Sequence, residues 1–141
     1  MIKYRYALLC ATLYLAACTL LPPKAERSEY FETRAAGFLA DTDTREIRYT
    51  LAIDALKDIP EGSVLEVQFE NPMGTAPLVT TQSVDPSWAS FHFQSPPVHG
   101  LKVGKVYRME VLLYSDASHS QQLAAHHQDV QNLIDQRGLG W

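Results

Sequence analysis

From residue 44 onward, apolar and polar side chains alternate with a period of two. Ile47, Tyr49, Leu51 and Ile53 are interleaved with Arg48, Thr50, Ala52 and Asp54, which predicts a strand with one buried face. Asp58, Pro60, Glu61 and Gly62 interrupt the run. Leu65, Val67 and Phe69 then share one face against Glu66, Gln68 and Glu70, and Asn71-Pro72-Met73-Gly74 marks a turn. A weaker strand, Leu78 to Val84, is rich in Thr, Val and Ser and stops at Asp85-Pro86. Ala89, Phe91 and Phe93 form the next inward set, opposite Trp88, Ser90 and His92, before Ser95-Pro96-Pro97. The last clear strand runs from about Val106 to Ser115, with Tyr107, Met109, Val111 and Leu113 inward. Leu112 and Tyr114 make part of its other face apolar as well, as if a helix or a partner covers them. Five short strands separated by turn signals predict a sandwich or barrel, not a parallel α/β sheet.

The pattern is different at either end. Tyr30, Phe31, Phe38 and Leu39 fit a first element or a flap, as readily a short helix as loose packing. Ser118 to Arg137 predicts a helix, capped by Asp116 or Ser118 and closed by Gly138. Leu123, Val130, Leu133 and Ile134 lie along its stripe, with His127 on the same side. That helix is expected to pack on its own sheet, docking to a partner being the alternative.

The N-terminus changes what the composition means. Lys3 and Arg5 precede an apolar run from Ala7 to Leu15, shorter than the roughly 20 residues of a permanent membrane span. Leu15-Ala16-Ala17-Cys18 resembles the lipobox of bacterial lipoproteins. The resemblance implies removal of residues 1–17, a diacylglyceryl group on the Cys18 sulfur and an acylated new N-terminus. Two such signals give firm membrane anchoring where one chain alone gives only marginal binding. Thr19 after the cysteine, by that family's sorting rule, implies the periplasmic face of the outer membrane.

The whole chain carries 12 Lys/Arg against 16 Asp/Glu. Without Lys3 and Arg5 the net charge moves from −4 to −6, a balance that disfavours binding to a nucleic-acid backbone. Of the two cysteines only Cys18 would remain, which excludes an internal disulfide. The domain expectation is a signal peptide over 1–17, a lipidated N-terminus and tether over 18–43, and a β-sandwich with a C-terminal helix over 44–141. Leu20-Leu21-Pro22-Pro23 disfavours regular structure, and residues 19–28 span about 30 Å when straight.

Leu101, Gly104 and Tyr107, running on to Val111, resemble the entry to the penultimate strand of fibronectin type III and related immunoglobulin-like domains. The resemblance implies an immunoglobulin-like or fibronectin type III-like β-sandwich, with Tyr107 as its tyrosine corner bonding to upstream backbone. The segment Ile59-Pro60-Glu61-Gly62-Ser63-Val64-Leu65-Glu66-Val67, entered from the Arg48–Ile53 strand, is similar to the small β-sandwich pilot lipoproteins of type III secretion and their envelope relatives. This similarity extends loosely from Arg48 to Val111. It implies a non-enzymatic accessory or assembly factor for an envelope protein complex, with a ring-forming secretin as the most concrete partner.

Catalytic chemistry is not visible. There is no Gly-x-Ser-x-Gly elbow, phosphate-binding glycine loop or His-Glu-x-x-His helix, and no cofactor is implied. On the expected helix, adjacent His126 and His127 diverge by about 100 degrees, and His119 lies about 10 Å away along the axis, so no metal is expected. Trp88 with His92, and Trp141 behind flexible Gly138 and Gly140, are the candidate partner-binding residues. Two other classes remain open. One is a periplasmic ligand-binding or hydrolase-inhibitor domain, which a deep aromatic pocket at Trp88 would favour. The other is an enzyme whose His92, His99 and acidic residues converge in one cleft.

Overall fold

The computed structural model describes residues 23–140, and the leader, Cys18 and Trp141 lie outside that range. Seven strands follow one another: β1 (Phe31–Asp41), β2 (Glu46–Ala55), β3 (Val64–Phe69), β4 (Leu78–Ser83), β5 (Ser90–Gln94), β6 (Val106–Tyr114) and β7 (Gln122–Gln131). They form two antiparallel sheets, β1-β2-β5 and β4-β3-β6-β7. The inner faces meet on Phe31, Tyr49, Leu51, Ile53, Leu65, Val67, Phe69, Phe91, Met109, Val111 and Leu113, each at most 1% exposed. Fully burying one such side chain is worth roughly 1.5–3 kcal/mol, so the alternation in β2, β3, β5 and β6 is what drives the two layers together. A polar tie joins the layers as well: the Tyr49 hydroxyl of β2 donates to the Glu70 carbonyl at the end of β3, at 2.6 Å. Burial pushes the Tyr49 phenol well above its ordinary range, so it remains a donor.

The loop before β6 is held by local geometry. Gly104 sits at φ 80°, a conformation that a Cβ would disfavour, and its N–H donates to the Asn132 carbonyl at 2.7 Å. Buried Tyr107 accepts a hydrogen bond on its hydroxyl from the Lys102 backbone N–H at 2.8 Å.

The expected C-terminal helix is not there. The domain is mainly β, with two antiparallel sheets and no helix among the described residues. The segment expected to be helical instead supplies β7, which pairs with β6 from Val106↔Gln131 to Tyr114↔Gln122. The reason lies in its inward positions. His126, Gln128, Val130 and Asn132 are all buried at a spacing of two, but three of them are polar. Leu123, Val130, Leu133 and Ile134 mimic a helical stripe, yet Leu133 is 75% exposed. The expected cap Asp116 works in a loop: its carboxylate accepts from the backbone N–H groups of Ser118 and Ser120 and from both hydroxyls. These bonds hold Asp116 far below the usual carboxylate range. The same loop caps Tyr114 on the outer face of β6, where His119 stacks on its ring at 4.0 Å; Leu112 beside it is buried. Residues 31–41, placed by the sequence reading within the tether with a first element or flap around Phe31 and Phe38, form β1 along the whole length of β2.

Candidate functional site

Neither sheet closes on itself, so β1, β5, β4 and β7 are edge strands, and unpaired backbone groups on an edge are templates for another chain. The register identifies the free groups of β1. In β2 the odd-numbered residues face β5, with the Tyr49 carbonyl accepting from Ser95 N–H at 3.1 Å and the Ile47 carbonyl from Val98 N–H at 2.8 Å. The even-numbered residues therefore bond to β1, through Arg48↔Leu39, Thr50↔Gly37 and Ala52↔Ala35. Ala36, Phe38 and Ala40 are left with their N–H and C=O groups on the outer edge, without partners among the described residues. No charged residue lies between Ala35 and Ala40. The other edges differ. β7 turns Ala125, His127, Asp129 and Gln131 outward, because Asn132 and the even positions bond to β6. On β5 the Gln94 carbonyl already accepts from the Thr80 hydroxyl of β4 at 3.1 Å.

Upstream on β1 the same edge is occupied by the chain itself. Thr33 N–H donates to the Glu26 carbonyl and Ser28 N–H to the Phe31 carbonyl, each at 2.8 Å, so residues 24–28 fold back as a strap. A register shift between Thr33 and Ala35 ends this paired stretch. The strap is fastened to β7 by side chains. Gln128 Oε1 accepts from Glu26 N–H at 2.8 Å, while its Nε2 donates to the carbonyls of Lys24 and Asp129 at 3.0 and 2.8 Å. His126, 2% exposed, bridges Ser28 and Thr33, with Nδ1 2.9 Å from the Ser28 hydroxyl and Nε2 2.8 Å from the Thr33 hydroxyl. Ser28 Oγ donates to the Phe31 carbonyl, so Nδ1–H donates to Ser28. Burial disfavours a second proton on the ring, which leaves Nε2 to accept from the Thr33 hydroxyl. Burial holds its pKa below the ordinary histidine value, neighbouring His127 lowers it further and Glu26 opposes them.

Beyond the strap, the seam between β1 and β7 opens into a groove of about 260 Å³. Pro23, Ala25, Ala36, Val130 and Leu133 supply its apolar lining, and Thr33, Arg34, Gln128, Asp129 and Gln131 its polar and charged edge. Leu39, 49% exposed, lies farther along β1. The arrangement therefore combines a free backbone edge with an adjoining apolar recess, the two features by which a sheet binds an extended segment.

The residues singled out from sequence are dispersed around the domain. Tyr107 is in the core. Trp88 is in the turn before β5, 46% exposed, with its ring 6.3 Å from Phe91. The open recess beside it, about 250 Å³ between Ala55–Ile59 and Pro86–Ala89, holds no second aromatic ring. His92 is exposed on β5. His99 instead lines a depression of about 740 Å³ at the far pole, with Arg45, Lys102, Asp135 and Arg137, and His92 is not among its lining residues. Among the described residues no three His, Cys, Asp or Glu side chains converge as a metal site requires. Cys18 and Trp141 lie outside the described residues. Sequence reasoning missed Ser28, Thr33, His126 and Gln128. The available signal was the spacing of two across His126, Gln128, Val130 and Asn132.

No protein-family model matches the chain, and no curated protein matches it.

Proposed function

We propose that this chain is a non-catalytic, lipid-anchored accessory or assembly factor of the outer membrane, which holds an extended segment of an envelope protein on the edge of β1. The observation that carries the binding mode is the row of free backbone groups at Ala36, Phe38 and Ala40 beside the apolar seam groove. The bound segment would present uncharged residues to the edge and place an aliphatic side chain against Ala36, Val130 and Leu133. The lipobox around Cys18 supplies the anchor in this proposal, and a secretin is the most concrete partner.

The test is an Ala36→Pro chain, which removes an outward N–H without removing a β1–β2 ladder bond. Produced in cells at the same level as the wild type, and checked for a native circular dichroism spectrum, it should lose the envelope protein that whole-cell crosslinking captures with the parent. Undiminished capture by a folded Ala36→Pro chain would remove the edge from the proposal. The secretin version fails if deletion of the gene leaves every secretin ring assembled and in place. The anchor is tested by Cys18→Ser, which should abolish acyl labelling and membrane retention.

A further inference from the structure

The second open edge, on β4, lies on the opposite side of the sandwich from the seam. Val84 N–H donates to the Ser63 carbonyl at 3.0 Å, so the even-numbered positions of β4 bond to β3 through Gln82↔Leu65, Thr80↔Val67 and Leu78↔Phe69. Val79, Thr81 and Ser83 turn their N–H and C=O groups to the outside, and all three side chains are exposed. None of the three has a backbone partner there among the described residues. Edge strands are ordinarily blunted by charge, yet no charged residue occurs from Asn71 to Val84. Pro77, which has no N–H, bounds the edge on one side and Asp85-Pro86 bounds it on the other.

We propose that two copies of this chain pair through β4, antiparallel about a twofold axis at Thr81. An edge whose outward groups are spaced as Val79, Thr81 and Ser83 is complementary to itself. Thr81 then faces Thr81 of the second copy, and Val79 faces Ser83 in both directions, so all six backbone groups are paired. A shift of two residues toward Pro77 sets Ser83 opposite Pro77, which has no donor, and a one-residue slip sets bonded groups against free ones. The register is thereby specified. Charge permits the pairing too. Glu66 lies on β3 opposite Thr81, so the two copies' Glu66 carboxylates are three strand spacings apart, roughly 14 Å, beyond the Debye length of about 8 Å at physiological salt. The other edges suit a second copy less well: β7 carries His127 and Asp129, β5 is bridged by Thr80, and β1 is flanked by the strap and β7. A single strand pair is smaller than the roughly 1,200 Å² of a standard stable interface, so the dimer is a weak one, strengthened where the copies are concentrated.

Disulfide trapping in membranes of cells making the full chain tests both pairing and register. Facing residues of a hydrogen-bonded antiparallel pair lie about 5.5 Å apart at Cα, within disulfide range. Thr81→Cys should give a covalent dimer under mild oxidation, above the background of the parent chain, which retains Cys18. Val79→Cys alone should not, because its copy would be four residues away, roughly 13 Å along the strand. Co-expressed Val79→Cys and Ser83→Cys chains should crosslink. No dimer from Thr81→Cys above the parent overturns the proposal, and so does equal crosslinking of Thr81→Cys and Val79→Cys. Trapping of Thr81→Cys to a different protein alone would replace the second copy with another occupant and also overturn it. Since β1 is untouched in every variant, these results are independent of the partner-capture test.

Discussion

Replacing Thr33 by Val removes one hydroxyl from a place where the fold offers no substitute. Thr33 is 4% exposed and its hydroxyl is the partner of His126 Nε2 at 2.8 Å; His126 is itself 2% exposed. The substitution keeps the shape of the side chain but leaves an imidazole nitrogen buried without a donor. An orphaned buried acceptor costs about 1–3 kcal/mol, against a few tenths to a kcal/mol that the extra methyl can return. The net expectation is a loss of roughly 1–2 kcal/mol. Urea unfolding at pH 7.5, followed by circular dichroism, reads it directly. With a slope of about 1–3 kcal/mol/M for a small domain, the midpoint should fall by roughly 0.3–2 M. Thr33→Ser retains the hydroxyl and should keep most of the stability. A double-mutant cycle with His126→Leu should return a coupling of at least about 0.5 kcal/mol, because the orphan disappears once both partners are apolar. A Thr33→Val chain within about 0.3 kcal/mol of the parent, with no coupling to His126, would refute the account of how the strap and seam are held.

The same histidine makes stability depend on pH. His126 has a folded pKa lowered mainly by burial, so between that value and the ordinary 6.5 the unfolded chain binds more protons. Its contribution is complete above about pH 6.5 and is lost as pH falls toward the folded pKa; urea midpoints across that window should decline for the parent and less steeply for His126→Leu. Tyr107→Phe leaves the Lys102 N–H, on an exposed residue, without the hydroxyl it donates to, and should cost about 0.5–1.5 kcal/mol by thermal or chemical unfolding. Gly104→Ala meets no atom within 4 Å of the new Cβ, so its expected cost of about 1–2 kcal/mol is backbone strain at φ 80° alone, and Gly104→Asn should be milder.

Strands β2, β3, β5 and β6 were legible in the sequence because their inward positions are apolar without exception, from Ile47-Tyr49-Leu51-Ile53 to Tyr107-Met109-Val111-Leu113. β7 was not, for a physical reason tied to its place. It lies at the seam, where inward His126 and Gln128 satisfy the polar groups of the strap and Asn132 those of the Ile134 backbone, so polar residues stand where a central strand carries Val or Leu. With the alternation concealed, the spacing of Leu123, Val130 and Ile134 resembled a helix. β1 was obscured differently. Ala35, Ala36 and Gly37 offer little contrast between faces, and the register shift after Thr33 interrupts the period. Which edge groups are free follows from the pairing of β1 with β2 and of β2 with β5, and side-chain pattern alone carries no trace of that. Trp88 and His92, conspicuous as residue types, do not line the groove, which is built mostly from inconspicuous alanines, Pro23, Val130, Leu133 and glutamines, with Arg34 and Asp129 at its rim.

The claim that β1 is the binding edge is most directly tested by photocrosslinking in intact cells, with a photoreactive amino acid placed in turn at Leu39, Leu133 and Trp88. All three are exposed, so each tolerates the substitution, but only the first two belong to β1 and the seam groove. The account predicts one defined envelope protein crosslinked from Leu39 and Leu133 and absent from Trp88, with both products lost in an Ala36→Pro background. Capture of that protein from Trp88 alone, or products from Leu39 and Leu133 unaffected by Ala36→Pro, would contradict it.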